Sequence, residues 1–187
     1  MDADDYMTYE DFGRKFFEVA VTEDRVGGAI AAIAGDAFEM GPIGQGPGKI
    51  AKVTAKVRIM EPRITRQVGE MITFAIRIPL EIDMVVDLRI DRPKFMVFGE
   101  IALRATARAA APLLLILDVE KPRSSDISIH VTSKSLRAEV IRVLGGIDAE
   151  IRRFIAAHVS GEIDSPASKT AKIIDVADRL DAAWTGI

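Results

Sequence analysis

A row of apolar side chains at alternating positions between residues 71 and 91 sets the strongest constraint on the fold. Its members are Ile72, Phe74, Ile76, Ile78, Leu80, Ile82, Met84, Val86, Leu88 and Ile90. Most positions between them are polar, which predicts a half-buried strand, because successive side chains of a strand point to opposite faces of its sheet. About twenty residues at roughly 3.3 Å each would span about 65 Å, whereas a compact domain of this length is about 30–40 Å across. The strand must therefore bend, break at Pro79 or belong to an elongated sheet.

A second alternation, with apolar residues on odd positions, runs through residues 95–119. Pro112 interrupts it, and a proline within a strand implies an edge, a bulge or a bend. We expect the two segments to form an antiparallel pair that curls. Alanines recur on the apolar face at positions 105, 107, 109 and 111. Such small side chains leave room either for a closely packed helix or for an apolar guest, and the sequence favours neither.

Helical periodicity marks the two ends of the chain. Apolar residues at three- and four-residue spacing predict helices over residues 8–21, 22–34 and 135–159. After Lys169 we expect a short strand and a last helix.

The segment between the first helices and the long strands is rich in glycine and proline. From Gly41 to Gly48 this content predicts a loop. The loop lacks the spacing of a P-loop or a dinucleotide-binding loop, so we interpret it as a structural connector. Residues 49–60 alternate as a further strand, and residues 61–69 are expected to be a turn or an irregular edge.

Length and composition exclude several classes of protein. The 187 residues suit a single domain, 1–187, with a substantial core. A net charge of -3 and an aromatic content of 6% argue against nucleic-acid binding. The absence of cysteine excludes disulfides and thiolate metal sites. The acidic N-terminal residues do not resemble a secretory signal. The most apolar segment, residues 109–117, has about half the length that a membrane-spanning helix needs. We therefore expect a cytoplasmic protein with no integral membrane segment.

No grouping of residues points to catalysis, a cofactor or a metal ion. The chain has two histidines, His130 and His158, and no carboxylate stands where it would complete a hydrolytic triad with Ser128. Glu81 and Asp83 share a strand face, but the arginines that flank them favour a solvated face of alternating charge over a metal site.

One stretch of the chain is locally basic. Its members are Lys49, Lys52, Lys56, Arg58, Arg63 and Arg66. It is either an ordinary solvated strand face or a surface for an acidic headgroup, a carboxylate or a partner protein.

The order of these segments resembles the tubular lipid-binding (TULIP) superfamily, to which the bactericidal/permeability-increasing protein is related. The matching pieces are residues 72–90, 95–119, 135–159 and 172–176, and the likeness extends over residues 8–184 as patterns rather than as a signature motif. The resemblance implies an α+β fold in which a long, strongly curved antiparallel sheet wraps around a long C-terminal helix, with a helical segment at the N-terminus. It also implies a lengthwise hydrophobic cavity for lipids.

We therefore expect a protein that binds or transports a lipid or similar apolar small molecule without catalysis and without a cofactor. The residues expected to line its cavity are Ile76, Ile78, Leu80, Ile82, Met84, Leu103, Ala105, Ala107, Ala109, Leu144, Ile151, Phe154 and Ile155. Two alternatives stay open. One is a self-associating interaction module whose apolar face is covered by a second copy, as a homodimer. The other is a helix-grip protein of the START or polyketide-cyclase type, either a ligand-binding protein or an enzyme.

Overall fold

The computed structural model describes residues 6–34, 37–45, 51–88, 90–131 and 138–185, with the backbone alone described at residues 33, 34, 45, 131 and 138–144. The helices are α1 (Tyr9–Ala20), α2 (Glu23–Ala34), α3 (Ala138–Asp164), α4 (Pro166–Ala171) and α5 (Val176–Trp184). The strands are β1 (Ala37–Gln45), β2 (Ala51–Ile59), β3 (Arg63–Val68), β4 (Ile72–Asp87), β5 (Lys94–Ala110), β6 (Leu114–Val119), β7 (Ile127–Val131) and β8 (Ile173–Asp175).

The eight strands form one antiparallel sheet that curls into a half-barrel. At its centre β4 pairs with β5, which places Ile78 opposite Ile101 and Ile82 opposite Val97. Shorter strands lie end to end along the outer edges of this pair: β2 and β3 along β4, and β7 and β6 along β5. Strand β1 adds to β2, and β8 adds to β6. The expected long, curled antiparallel pair is thus confirmed within an α+β fold.

One face of the sheet, called the inner face below, carries the apolar rows and packs against helices. Val26 and Ile30 of α2, and Ile147, Ile151 and Ile155 of α3, join the strand residues in one core. Fully burying a side chain of this size contributes about 1.5–3 kcal/mol. Where α2 and α3 meet the middle of the sheet, a void of about 10 Å³ remains, roughly the space of one water. The helices therefore fill this part of the interior.

Helix α1 lies at the margin of this core. Its first turn is capped by Thr8, whose side chain accepts a hydrogen bond from the backbone N–H of Asp11. Phe16, Phe17 and Ala20 pack against the core, yet no residue of α1 is fully buried. The helix is therefore held by one face only.

The longest helix is not the C-terminal element. Helix α3 has 27 residues, but the chain continues through α4 and β8 into α5, which has nine. Ser165 caps α4 by accepting from the N–H of Ser168, and Pro166 follows it; a proline at this point cannot continue α3. The expected wrapping around a long C-terminal helix is therefore not confirmed, whereas the predicted short strand and last helix match β8 and α5.

The prediction of a loop over residues 41–48 is wrong for its first half. Strand β1 continues to Gln45 through a bulge between Met40 and Ile43. Gly41 makes this possible, because its φ is 104° and a Cβ there would lie 2.5 Å from the carbonyl oxygen of Val53. Residues 46–50 lie outside the described residues.

Three other boundaries differ from expectation. The segment 61–69 contains the strand β3 rather than only a turn. Strand β4 ends at Asp87, and Ile90 is 98% exposed. The segment 95–119 is two strands joined by a turn over residues 111–113, because Pro112 has no N–H to donate to a ladder.

Candidate functional site

A groove of about 710 Å³ opens between α1 and the end of the sheet formed by the β3–β4 turn and the last residues of β5. Small-molecule sites commonly enclose about 300–1,000 Å³. Its apolar lining residues are Gly13, Phe17, Val68, Met71, Ile72, Ala107 and Ala109. The groove therefore has the size and the floor of an apolar-ligand site.

Small residues keep the groove open from both sides. On α1, a Cβ added to Gly13 would meet no atom within 4 Å. On β5, Ala107 and Ala109 stand on the inner face opposite Leu117 and Leu115. Ala107 is buried, whereas Ala109 is exposed to the groove. The alanine row leaves room either for a closely packed helix or for an apolar ligand. At the end of the row the structure shows empty space rather than a helix.

Charged side chains surround this floor. They are Glu10, Arg14, Glu18, Glu70 and Arg108. Both arginines of this rim are ion-paired: Arg14 lies 3.5 Å from Glu10, and Arg108 lies 2.8 Å from Asp118. Such exposed pairs contribute about 0–1 kcal/mol each. An apolar floor with a charged rim is suited to a molecule with an apolar body and a polar end.

The expected cavity residues fall into two groups. Ala107 and Ala109 line the groove. The others with described side chains, apart from Phe154, are buried in the core: Ile76, Ile78, Leu80, Ile82, Met84, Leu103, Ala105, Ile151 and Ile155. Phe154 is 40% exposed, and its ring stacks on Phe38 of β1 at 6.2 Å. The side chain of Leu144 lies outside the described residues.

Of the groove lining, the sequence interpretation assigned only Ala107 and Ala109 to a site; the apolar members that it missed include Gly13, Phe17, Val68, Met71 and Ile72. Gly13 carries a usable signal, because a glycine in the middle of an amphipathic helix costs about 1 kcal/mol relative to alanine and so invites an explanation. Met71 carries none, whereas Val68 continues the alternation of Ile64 and Arg66 in a segment that the sequence predicts to be a turn or an irregular edge.

The two histidines lie on opposite faces of the sheet. His130 is exposed on the outer face of β7, opposite Phe98 of β5. His158 lies on α3, and its ring stacks on Phe38, which shares the inner face with Val57. They therefore do not combine into one reacting group.

The basic stretch is for the most part a solvated face of alternating charge. Arg58 on β2 contacts Glu81 at 2.9 Å and Asp83 at 3.3 Å. Lys56 stands opposite Asp83. Arg66, in contrast, lies on the inner face, opposite Phe74. Lys49 lies outside the described residues.

Among the described residues no three His, Asp or Glu side chains converge closely enough to hold a metal ion. None of the described helices combines the length and apolarity needed to cross a membrane. No protein-family model matches the chain, and no curated protein matches it either. A function must therefore be inferred from the groove itself.

Proposed function

We propose that the protein binds a lipid or a similar apolar small molecule in the groove beneath α1. The observation that supports this is the combination of an apolar floor, a charged rim and a volume of about 710 Å³. The proposal places the ligand at the end of the half-barrel rather than in a lengthwise cavity, because α2 and α3 fill the middle of the interior.

The floor of the groove offers exposed apolar surface to a ligand. Val68 and Met71, which both line the groove, are 55% and 52% exposed. Covering such surface gains about 25 cal/mol per Å². An apolar chain laid against these side chains, Phe17 and Ala109 would therefore bind without any specific polar contact.

The test compares two neighbouring alanines of β5. Ala109→Phe places a ring in the groove, whereas Ala110→Phe places the same ring on the outer face, where Ala110 is also exposed. Binding of a fluorescent fatty acid is measured for both variants and for the unchanged protein, and native mass spectrometry shows any lipid that co-purifies.

We expect Ala109→Phe to abolish uptake and Ala110→Phe to leave it unchanged, with both melting temperatures close to that of the parent. Equal uptake by the two variants would place the ligand elsewhere. No uptake and no co-purifying lipid in the unchanged protein would refute the proposal.

Self-association is the second candidate function. It is favoured by exposed apolar side chains on β8 and α5, namely Ile173, Ile174, Leu180 and Trp184. Trp184 is 78% exposed, and aromatic residues are common at the centres of interfaces. Sedimentation of the protein and of Trp184→Glu distinguishes the cases: a dimer that the substitution dissociates supports self-association, and a monomer in both excludes it.

A further inference from the structure

Arg66 is the one charged residue that the described strands place on the inner face. The register of β3 with β4 puts Ile64, Arg66 and Val68 opposite Ile76, Phe74 and Ile72, all on the face that packs against the helices. Every other inner-face position of β2 to β7 that is described carries an apolar residue or glycine. A cation at this position therefore needs a specific reason.

The Arg66 side chain has no partner among the described residues. Its Nε is buried and makes no hydrogen bond to a described residue, and no described carboxylate forms an ion pair with its guanidinium, unlike those of Arg58 and Arg77. A buried donor without an acceptor costs about 1–3 kcal/mol. The structure thus contains a donor whose acceptor is missing.

Protection of the sheet edge does not account for this arginine. An inward-pointing charge on an edge strand does hinder pairing with another strand. Here, however, the carboxylate of Glu23 on α2 accepts a hydrogen bond from the backbone N–H of Arg66, at a distance of 2.7 Å. This hydrogen bond already protects the strand edge at this residue. Edge protection therefore does not explain the inward-facing guanidinium.

The position of Arg66 relative to the groove suggests a role in binding the ligand. Arg66 lies two residues from the groove residue Val68 on the same strand face, about 7 Å along the strand. The two rim arginines, Arg14 and Arg108, are already paired with carboxylates. Arg66 does not line the groove itself, but within the described part of the chain it is a cation beside the groove that no carboxylate pairs.

Building on the proposed function, we infer that the ligand is an amphiphile with an anionic headgroup, a carboxylate or a phosphate, and that Arg66 binds this headgroup. Guanidinium binds both anions through paired, charge-assisted hydrogen bonds. The headgroup supplies the acceptor that Nε lacks, while the apolar chain of the ligand covers Val68 and Ala109.

The test uses matched ligands and matched variants. Palmitate is compared with cetyl alcohol, which has the same chain and no charge, and with palmitoyl lysophosphatidate and inorganic phosphate. Arg66→Gln is compared with Arg63→Gln, which removes the same charge from the outer face of the same strand. Arg66→Met serves as a second variant, because it removes the orphaned donor and should keep or raise the melting temperature.

We expect the unchanged protein and Arg63→Gln to bind an anionic amphiphile about ten-fold more tightly than the alcohol. Both Arg66 variants should lose this preference and bind the alcohol as before. Equal binding of acid and alcohol, or a preference that survives in the Arg66 variants, would overturn the inference and leave the proposed function standing. Inorganic phosphate that binds alone and depends on Arg66 would assign the site to a free anion and overturn the amphiphile. If none of the amphiphiles binds, the proposed function fails and the inference with it.

Discussion

The ring of Phe38 stacks on the imidazole of His158 with centroids 3.9 Å apart and an interplanar angle of 28°. Phe38 belongs to the edge strand β1 and His158 to α3, so this contact joins the outermost strand to the longest helix. Phe154, one turn earlier on α3, adds a second ring at 6.2 Å. His158 therefore has a packing role.

A double-mutant cycle tests this contact. Phe38→Leu and His158→Gln should each destabilise the protein, and the pair should show a coupling of about 0.5–1.5 kcal/mol, as stacked rings do. Urea unfolding of the four proteins measures it. Phe38→Leu combined with Phe98→Leu, a ring on the outer face, is the control and should be additive within about 0.5 kcal/mol. Additive effects in the cycle of Phe38 and His158 would show that the stacking contact contributes nothing to the free energy of unfolding.

Gly13→Leu should stabilise the protein and block its groove at once. The added side chain meets open space, and replacing a glycine within a helix gains about 0.5–1 kcal/mol. Gly28→Leu on α2 is the control, since Gly28 also faces open space but does not line the groove. Melting temperature should rise in both variants, and fatty-acid uptake should fall in Gly13→Leu alone. Uptake retained by Gly13→Leu would contradict the assignment of the groove.

The sequence predicts the central sheet well, because alternation over so many residues has few physical solutions. The row from Ile72 to Val86 is buried along its whole length, and Thr8 caps α1 as a threonine before an amphipathic run should. Strand β1 was missed because glycine and proline normally end strands, and only the bulge at Gly41 reconciles them with pairing.

The groove was only half predictable. The alanines at 107 and 109 indicated space, but whether a helix would occupy it depends on where α1 packs, which no local pattern specifies. Arg66 stands between Ile64 and Val68, and that alternation alone would have placed it inward if the segment had been read as a strand. Composition conceals it, because Arg66 falls in the same locally basic stretch as the solvated bases of β2.

Gly99→Ala should weaken the pairing of β5 with β7. A Cβ at this position would lie 2.8 Å from the carbonyl oxygen of Ser128 on β7, and backbone has to move to admit it. We expect a loss of about 1–3 kcal/mol, as for other overpacked sites. Gly161→Ala on α3, where a Cβ meets open space, should be neutral or stabilising. Urea denaturation separates the two, and equal stability of both variants would contradict the close approach.

Asp164 should make the protein less stable in acid. Its carboxylate lies 2.6 Å from Nζ of Lys121. This hydrogen bond is the main cause that holds the pKa of Asp164 below its ordinary value of 3.8; desolvation opposes it, and the charges of Lys121, Lys169 and Lys172 add to the lowering. A carboxyl group whose pKa is lower in the folded state stabilises the fold above its unfolded pKa, and this contribution is lost as pH falls through the folded value.

Asp164→Asn should therefore be less stable than the parent at about pH 7, and the difference should vanish near pH 2. Lys121→Gln should reproduce most of this pattern by removing the main partner. Urea midpoints measured across that range test the assignment, and a difference that stays constant with pH would show that the loss comes from packing rather than from the charge of Asp164.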